Sequence, residues 1–163
     1  MLLTLLRLPG LYSALAFVLA RRVLIRGWSM YPALAPGEYV LFDRLAYRTA
    51  APCQGDVVLA THPTRPQASI VKRLVGLPGD RITTHDGRLW VNGEAAGEPL
   101  EEANLGQEWL LGDDHYFLLG DAPDLSTDSR SFGPVGRRAI QARAWMVYWP
   151  PGRMRAVQGR ETV

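Results

Sequence analysis

From about residue 23 to residue 149 the chain is cut into short apolar runs by Gly, Pro and Asp, and this punctuation leaves no room for a long helix. Short runs of β-branched, aromatic and aliphatic residues between turn formers read as strands. Eight segments qualify: residues 23–26, 39–43, 56–60, 69–75, 81–84, 89–91, 116–119 and 142–148. The turns between them are legible as Pro36-Gly37, Pro78-Gly79, Asp86-Gly87 and Asn92-Gly93. Asp86-Gly87, followed by Arg88-Leu89-Trp90-Val91, predicts a tight hairpin. The pattern therefore predicts a mainly β domain. Short helices are expected at residues 45–47 or 136–140, and the acidic, Gly-containing stretch 94–107 as a surface loop.

The N-terminus differs. Residues 1–20 carry one charge, Arg7, and a Pro9-Gly10 interruption. Residues 8–20 are uncharged and would make roughly 20 Å of helix, whereas a bilayer core asks for ~30 Å. The stretch reaches that length only if Arg7 snorkels. A short single-pass anchor, an interfacial hairpin or helix, and a cleaved signal peptide compete as readings. Arginines flank both sides, so charge does not orient the segment. We expect an anchor or interfacial helix over residues 1–22, one folded domain over 23–153 and a tail over 154–163.

Composition limits the function. A chain of 163 residues suits one domain plus an anchor, and 47% apolar residues suffice for a core. A net charge of +2 gives no footprint for nucleic acid. Arg21, Arg22 and Arg26, and near the C-terminus Arg153, Arg155 and Arg160, are candidates for anionic headgroups or solvated ends. Cys53 is the one cysteine, so no internal disulfide forms, and no Cys/His spacing suggests a metal site. No metal and no cofactor is expected.

Two residues carry the chemistry. Ser29 lies in Gly27-Trp28-Ser29-Met30-Tyr31-Pro32. Pro32 pushes Tyr31 towards extended geometry, and Gly27 permits an unusual turn upstream. A serine held on such a segment can present its hydroxyl and its own N–H to a carbonyl. A hydroxyl needs a base to become a nucleophile. His62, His85 and His115 sit in loop- or turn-like contexts without a recognisable triad. Lys72, in Ser69-Ile70-Val71-Lys72-Arg73-Leu74-Val75, is the alternative. On a strand it shares a face with Ile70 and Leu74, while Arg73 points away. Burial among apolar groups would lower its pKa far enough for it to act as a base. The competing reading is a lysine snorkelling from a strand edge.

A third block, Gly120-Asp121 followed by Ser126-Thr127-Asp128-Ser129-Arg130, completes the pattern. With Val75-Gly76-Leu77-Pro78-Gly79-Asp80 after the Lys-Arg pair, the three blocks resemble the type I signal peptidase family, the Ser/Lys membrane proteases. The resemblance runs from about Ile25 to Trp149. It implies a barrel-like antiparallel β domain preceded by an N-terminal apolar helix. It also implies a nucleophile at Ser29 and a general base at Lys72. Ser126 would orient the lysine, and Asp121, Asp128 and Arg130 would brace the site. Two departures stand out: Ala122 replaces the family's Asn after Gly-Asp, and Gly27 occupies a position where some members carry a serine. The family cuts after small residues, usually Ala-X-Ala. Ile25, Met30 and Val71 are candidates for the walls of the substrate pocket, with core packing as the alternative.

The implied activity is removal of signal peptides from exported preproteins. The protein would be a single-pass plasma membrane protein with its catalytic domain on the extracytoplasmic side. Its partners would be preproteins and membrane lipid. A dedicated maturation protease for a metalloenzyme precursor, such as nickel superoxide dismutase, is an alternative. A non-catalytic β-barrel interaction module is another.

Overall fold

The computed structural model describes residues 9–97, 99, 106–157 and 159. Within them β-strands dominate, and every strand pairing is antiparallel. The strands are β1 (Arg21–Leu24), β2 (Tyr39–Asp43), β3 (Val57–His62), β4 (Arg65–Gly76), β5 (Arg81–His85), β6 (Arg88–Val91), β7 (Glu94–Ala96), β8 (Glu108–Leu110), β9 (His115–Leu119), β10 (Val135–Gly136), β11 (Ile140–Trp149) and β12 (Arg155–Ala156). Among the described residues the α-helices are α1 (Pro9–Leu19), ahead of β1, and the short α2 (Ala46–Thr49) and α3 (Ser129–Phe132) between strands.

The larger sheet runs β1-β2-β11-β3-β4-β9-β10, with β12 added to the edge of β11. The smaller runs β7-β6-β5-β8. The barrel-like expectation needs correction. A closed barrel requires a ladder between its end strands. Here β1 pairs with β2 and the two-residue β10 with β9, so among the described residues the larger sheet stays open.

The Asp86-Gly87 hairpin forms as its turn chemistry predicts, and the expected Asn92-Gly93 turn closes a second hairpin. Asp86 and Gly87 take φ of 52° and 67°, and Asn92 and Gly93 take 51° and 88°, the paired positive values of a two-residue turn. The second hairpin corrects the surface-loop expectation for residues 94–107. The correction concerns only its first three residues: the Asn92-Gly93 turn folds Glu94–Ala96 back onto β6 as β7, while residues 98 and 100–105 lie outside the described residues. Just after that stretch, Glu108–Leu110 pairs with β5. The short helices fall near residues 45–47, as α2, and near 136–140, as a single 3₁₀ turn over Arg137–Ala139.

Three apolar clusters hold the layers. One packs Ile25, Met30, Leu34, Val40 and Phe42 against Val57, Leu59 and Val147. A second joins Val58, Leu74 and Leu118 with Val135 and Ile140. The third fastens the small sheet to the large one through Val75, Ile82, Leu89, Leu111 and Phe117. Each such fully buried side chain contributes about 1.5–3 kcal/mol relative to exposure. Gly76 sits in the third cluster because a Cβ there would lie 2.8 Å from Ile82 and 2.9 Å from both Leu111 and Phe117.

Helix α1 spans Pro9–Leu19. It rests on β2: Ala16 is buried, and the Tyr12 hydroxyl donates to the Asp43 carboxylate. Phe17, Val18 and Leu19 face outward. The first part of the expected 1–22 segment, residues 1–8, lies outside the described residues. Among the described residues no helix is long and apolar enough to cross a membrane.

Candidate active site

Lys72 lies in the middle of β4, paired with Val58 of β3, where sheet burial surrounds it. It is 4% exposed, so its stem does not carry the amine out to water. Its Nζ donates instead to Ser126 Oγ at 2.9 Å. Ser126 Oγ in turn donates to Asp128 Oδ2 at 2.7 Å. A hydroxyl can accept one bond and donate another, so the three groups form a satisfied chain.

Asp128 is the fixed end of that chain. It is fully buried and caps α3, accepting from the Arg130 N–H. Its Oδ2 also accepts from the Gly120 N–H at 3.0 Å and from Arg130 Nη2 at 2.8 Å. Burial would raise its pKa, but the Arg130 guanidinium, the Gly120 N–H and Ser126 together hold it below the usual carboxylate range. Asp128 therefore stays ionised and orients Ser126.

The alternation predicted for the Lys-Arg pair is observed. Arg73 makes a two-pronged ion pair with Asp121, both bonds at 2.7 Å, and donates to Gly55 O at 2.8 Å. Planar guanidinium–carboxylate forks of this kind are directional. This pair ties β4 to the end of β9 from the side away from Lys72. The ion pair was not legible in the sequence, although the Lys-Arg string and Asp121 were its two ends.

Ser29 is half-buried and meets the same region through its backbone. Its carbonyl accepts from the Ala122 N–H at 3.1 Å. Gly120 makes this approach possible. A Cβ at Gly120 would stand 2.5 Å from the Ser29 carbonyl oxygen and inside the Ser126 side chain. The fold thus sets the Ser29 backbone against Gly120 and Ala122, next to the Lys72–Ser126–Asp128–Arg130 chain, with Asp121 held by Arg73 on the other side, from three separate stretches of chain.

Electrostatics suit a basic lysine. Burial pushes Lys72 down from 10.5 to about 8. Asp128 and Asp121 pull it back up, and Arg130 works with burial. Roughly one molecule in ten then holds a neutral amine at pH 7. His62 is engaged by Thr64 and Arg65, and the His85 ring stacks on Trp90 at 4.8 Å. Neither offers itself to Ser29.

Sequence comparison decides the family. The family model described as "Signal peptidase, peptidase S26" matches residues 1–149. The chain belongs to this family. A probable signal peptidase I-2 of Synechocystis is 31% identical over 134 residues, covering 77% of this chain and 62% of the relative. A mitochondrial ATP-independent inner membrane protease subunit 1a of Arabidopsis thaliana is 37% identical over 128 residues, covering 78% and 69%. Signal peptidase I U of Bacillus subtilis is 31% identical over 166 residues, covering 94% and 88%. The chain thus spans about three fifths of the cyanobacterial relative's length.

In this S26 chain the three candidate pocket residues share one cluster. Ile25 and Met30 are buried in it, and Val71 packs against it half-buried.

Two expected results arise directly from the geometry. If Lys72 acts as the base, kcat/KM climbs with pH as the amine loses its proton. The apparent pKa is about 8, with a plateau above it, measured from pH-rate profiles of the free enzyme. A profile flat from pH 6 to 9 would exclude a titrating Lys72. Ser126→Ala removes the acceptor that aims Nζ. We expect a loss of about 10–100-fold in kcat, the worth of a hydrogen bond to an ionisable group, with KM within about twofold. An unchanged kcat would show that the Lys72–Ser126 bond is incidental.

Proposed function

We propose that the chain is a serine endopeptidase that removes signal peptides from exported preproteins after small residues, with Ser29 as nucleophile and Lys72 as general base. The observation that carries this reading is the buried Lys72–Ser126–Asp128 chain beside the Ser29 segment. Membership of the signal peptidase family supports it.

The chemistry follows from the residues. Neutral Lys72 keeps one N–H on Ser126 Oγ and has its lone pair free for the Ser29 hydroxyl proton. Ser29 Oγ attacks the carbonyl carbon of the scissile bond, and the proton passes to Nζ. The Ser29 N–H is a donor for the oxyanion. Collapse of the tetrahedral species breaks the C–N bond, and the Lys72 ammonium returns its proton to the leaving amine. An ester on Ser29 remains. Lys72, neutral again, takes a proton from water, the hydroxide oxygen bonds to the ester carbon, and Ser29 leaves with the proton. No step requires a metal or cofactor.

Ile25, Met30 and Val71 are proposed to wall the pocket for the small side chain. Asp121, Asp128 and Arg130 hold the frame. The proposed layout is an anchor or interfacial helix over residues 1–22, a catalytic domain over 23–153 and a tail over 154–163. The anchor would make it a single-pass plasma membrane protein with the catalytic domain outside the cytoplasm, in contact with lipid. The apolar outward face of α1 is consistent with that layout.

The test is cleavage of membrane-reconstituted precursors by the full chain and by Ser29→Ala. One precursor carries a generic Ala-X-Ala site and the other is a metalloenzyme precursor. Cleavage of the generic precursor by wild type alone supports signal peptide removal. Cleavage of the metalloenzyme precursor only would replace it with dedicated maturation. Folded wild type that cuts neither would sink the protease reading.

A further inference from the structure

Arg155 reads in sequence as part of a basic, solvated end. The structure uses it differently. Arg155 belongs to β12, which adds to β11 opposite Val147. Its guanidinium reaches across to the segment that follows Ser29. Nη1 donates to Glu38 Oε1 at 2.8 Å and to Arg153 O at 3.0 Å, while Nη2 donates to Glu38 Oε2 at 2.9 Å and to Ala33 O at 2.6 Å. Glu38 is 2% exposed, and its Oε2 also accepts from the Ala35 N–H. Glu38 and Arg155 are 117 residues apart in the chain.

This pair closes a loop around Ser29. At its base, Ile25 N–H donates to Glu38 O, and Gly37 N–H donates to Ile25 O. Inside, Leu34 N–H donates to Met30 O, and both side chains are buried in the core. On one side the Ser29 carbonyl is held by Ala122. On the other, only four residues on, Ala33 is held by Arg155. The loop has no regular secondary structure of its own to keep Ser29 in place. A two-pronged arginine fork on a buried carboxylate is rigid and directional in a way that a lysine is not.

We propose that Arg155 and Glu38 are positioning residues that clamp the segment from Met30 to Glu38 and so keep Ser29 within reach of Lys72. The inference rests on Ser29 being the nucleophile. Neither residue touches substrate. Their effect is on the fraction of time Ser29 spends in attacking geometry, which enters kcat, where a displacement of about 1 Å can cost up to ~10²-fold.

Kinetics and melting of the full chain test this, using the Ala-X-Ala precursor. The set is wild type, Ser29→Ala, Arg155→Met, Arg155→Lys and the double variant Glu38→Gln with Arg155→Met. Arg155→Met should lower kcat about tenfold with KM within about twofold. Arg155→Lys restores the charge without the fork and should recover only part of kcat. Arg155→Met also leaves a buried carboxylate unpaired, so its melting temperature falls. The double variant removes that charge and should regain stability while kcat stays low. Wild-type kcat in Arg155→Met overturns the clamp. So does a double variant that regains kcat together with stability, because the pair would then only neutralise a buried charge. Ser29→Ala separates the two readings. If it is inactive while Arg155→Met is normal, the clamp alone fails. If it still cleaves, the nucleophile assignment fails and the clamp falls with it.

Discussion

Ser29→Ala and Lys72→Met are each expected to lower kcat/KM by at least about 10³-fold, yet to move stability differently. General base catalysis is worth about 10²–10⁴-fold, and loss of the nucleophile removes the covalent route altogether. Ser29 is half-buried, and its tie to Gly120 and Ala122 runs through its backbone, so Ser29→Ala should leave the melting temperature almost unchanged. Lys72 is another matter. Its folded-state pKa of about 8 lies below the ordinary 10.5, so its protonated form opposes folding. The cost corresponds to about 3 kcal/mol, present in full below pH 8 and vanishing as pH rises towards 10.5. Methionine fills a similar volume without the charge. Lys72→Met gives up the bond to Ser126, worth about 1 kcal/mol, but escapes the desolvation penalty. The net expectation at pH 7 is a gain of about 1–2 kcal/mol, or a few degrees in Tm. At pH 10.5 the gain should be gone. Thermal melts across this pH range read it directly. A Lys72→Met variant less stable than wild type at pH 7 would mean that the lysine is not held against its desolvation cost.

Gly120→Ala should lower kcat/KM by about 10²-fold through geometry alone. The added Cβ meets Ser126 from one direction and the Ser29 carbonyl, a backbone atom, from another. Neither Ser126, bonded to Lys72 and Asp128, nor the Ser29 backbone, bonded to Ala122, can yield without spoiling the arrangement. Overpacking of this kind also costs about 1–3 kcal/mol of stability. Gly76→Ala is the matched control. It crowds Ile82, Leu111 and Phe117 in the core between the sheets and leaves Ser29 and Ser126 untouched. It should destabilise by a similar amount while folded molecules keep their kcat/KM. Equal activity losses in the two variants would mean that Gly120 acts through stability and not through the site.

Much of the fold was legible because strand signals are local. β2 spans the residues read as a strand from sequence, and β11 extends the expected 142–148 by only a few residues at its ends. Asp86-Gly87 and Asn92-Gly93 marked their turns because few residues besides Gly, Asn and Asp accept positive φ. The strands that escaped are β7, β8, β10 and β12, each of two or three residues. A strand that short cannot display a period of two, and only its partner makes it a strand. The barrel-like expectation failed for a related reason. Closure depends on whether two end strands meet, and no local pattern encodes that.

The candidate site divides the same way. Ser29 beside Pro32, Lys72 between aliphatic neighbours, and the Ser126–Arg130 block are local strings, and each announces its chemistry by residue type and spacing. Residue order alone establishes that a serine, a lysine on an apolar strand face, and a Ser/Asp/Arg block exist in this chain. It also determined that the chain between them must fold mainly as short strands. That these strings meet is a result of folding in three dimensions. Lys72 loses its water because β3 and β4 pair around it, and its amine finds Ser126 across 54 residues of chain. Gly120 must lack a side chain because two other segments converge on it, and Arg155 folds back 117 residues to hold Glu38. Burial and long-range hydrogen bonds are properties of packing, and it is packing that lowers the pKa of an otherwise ordinary lysine.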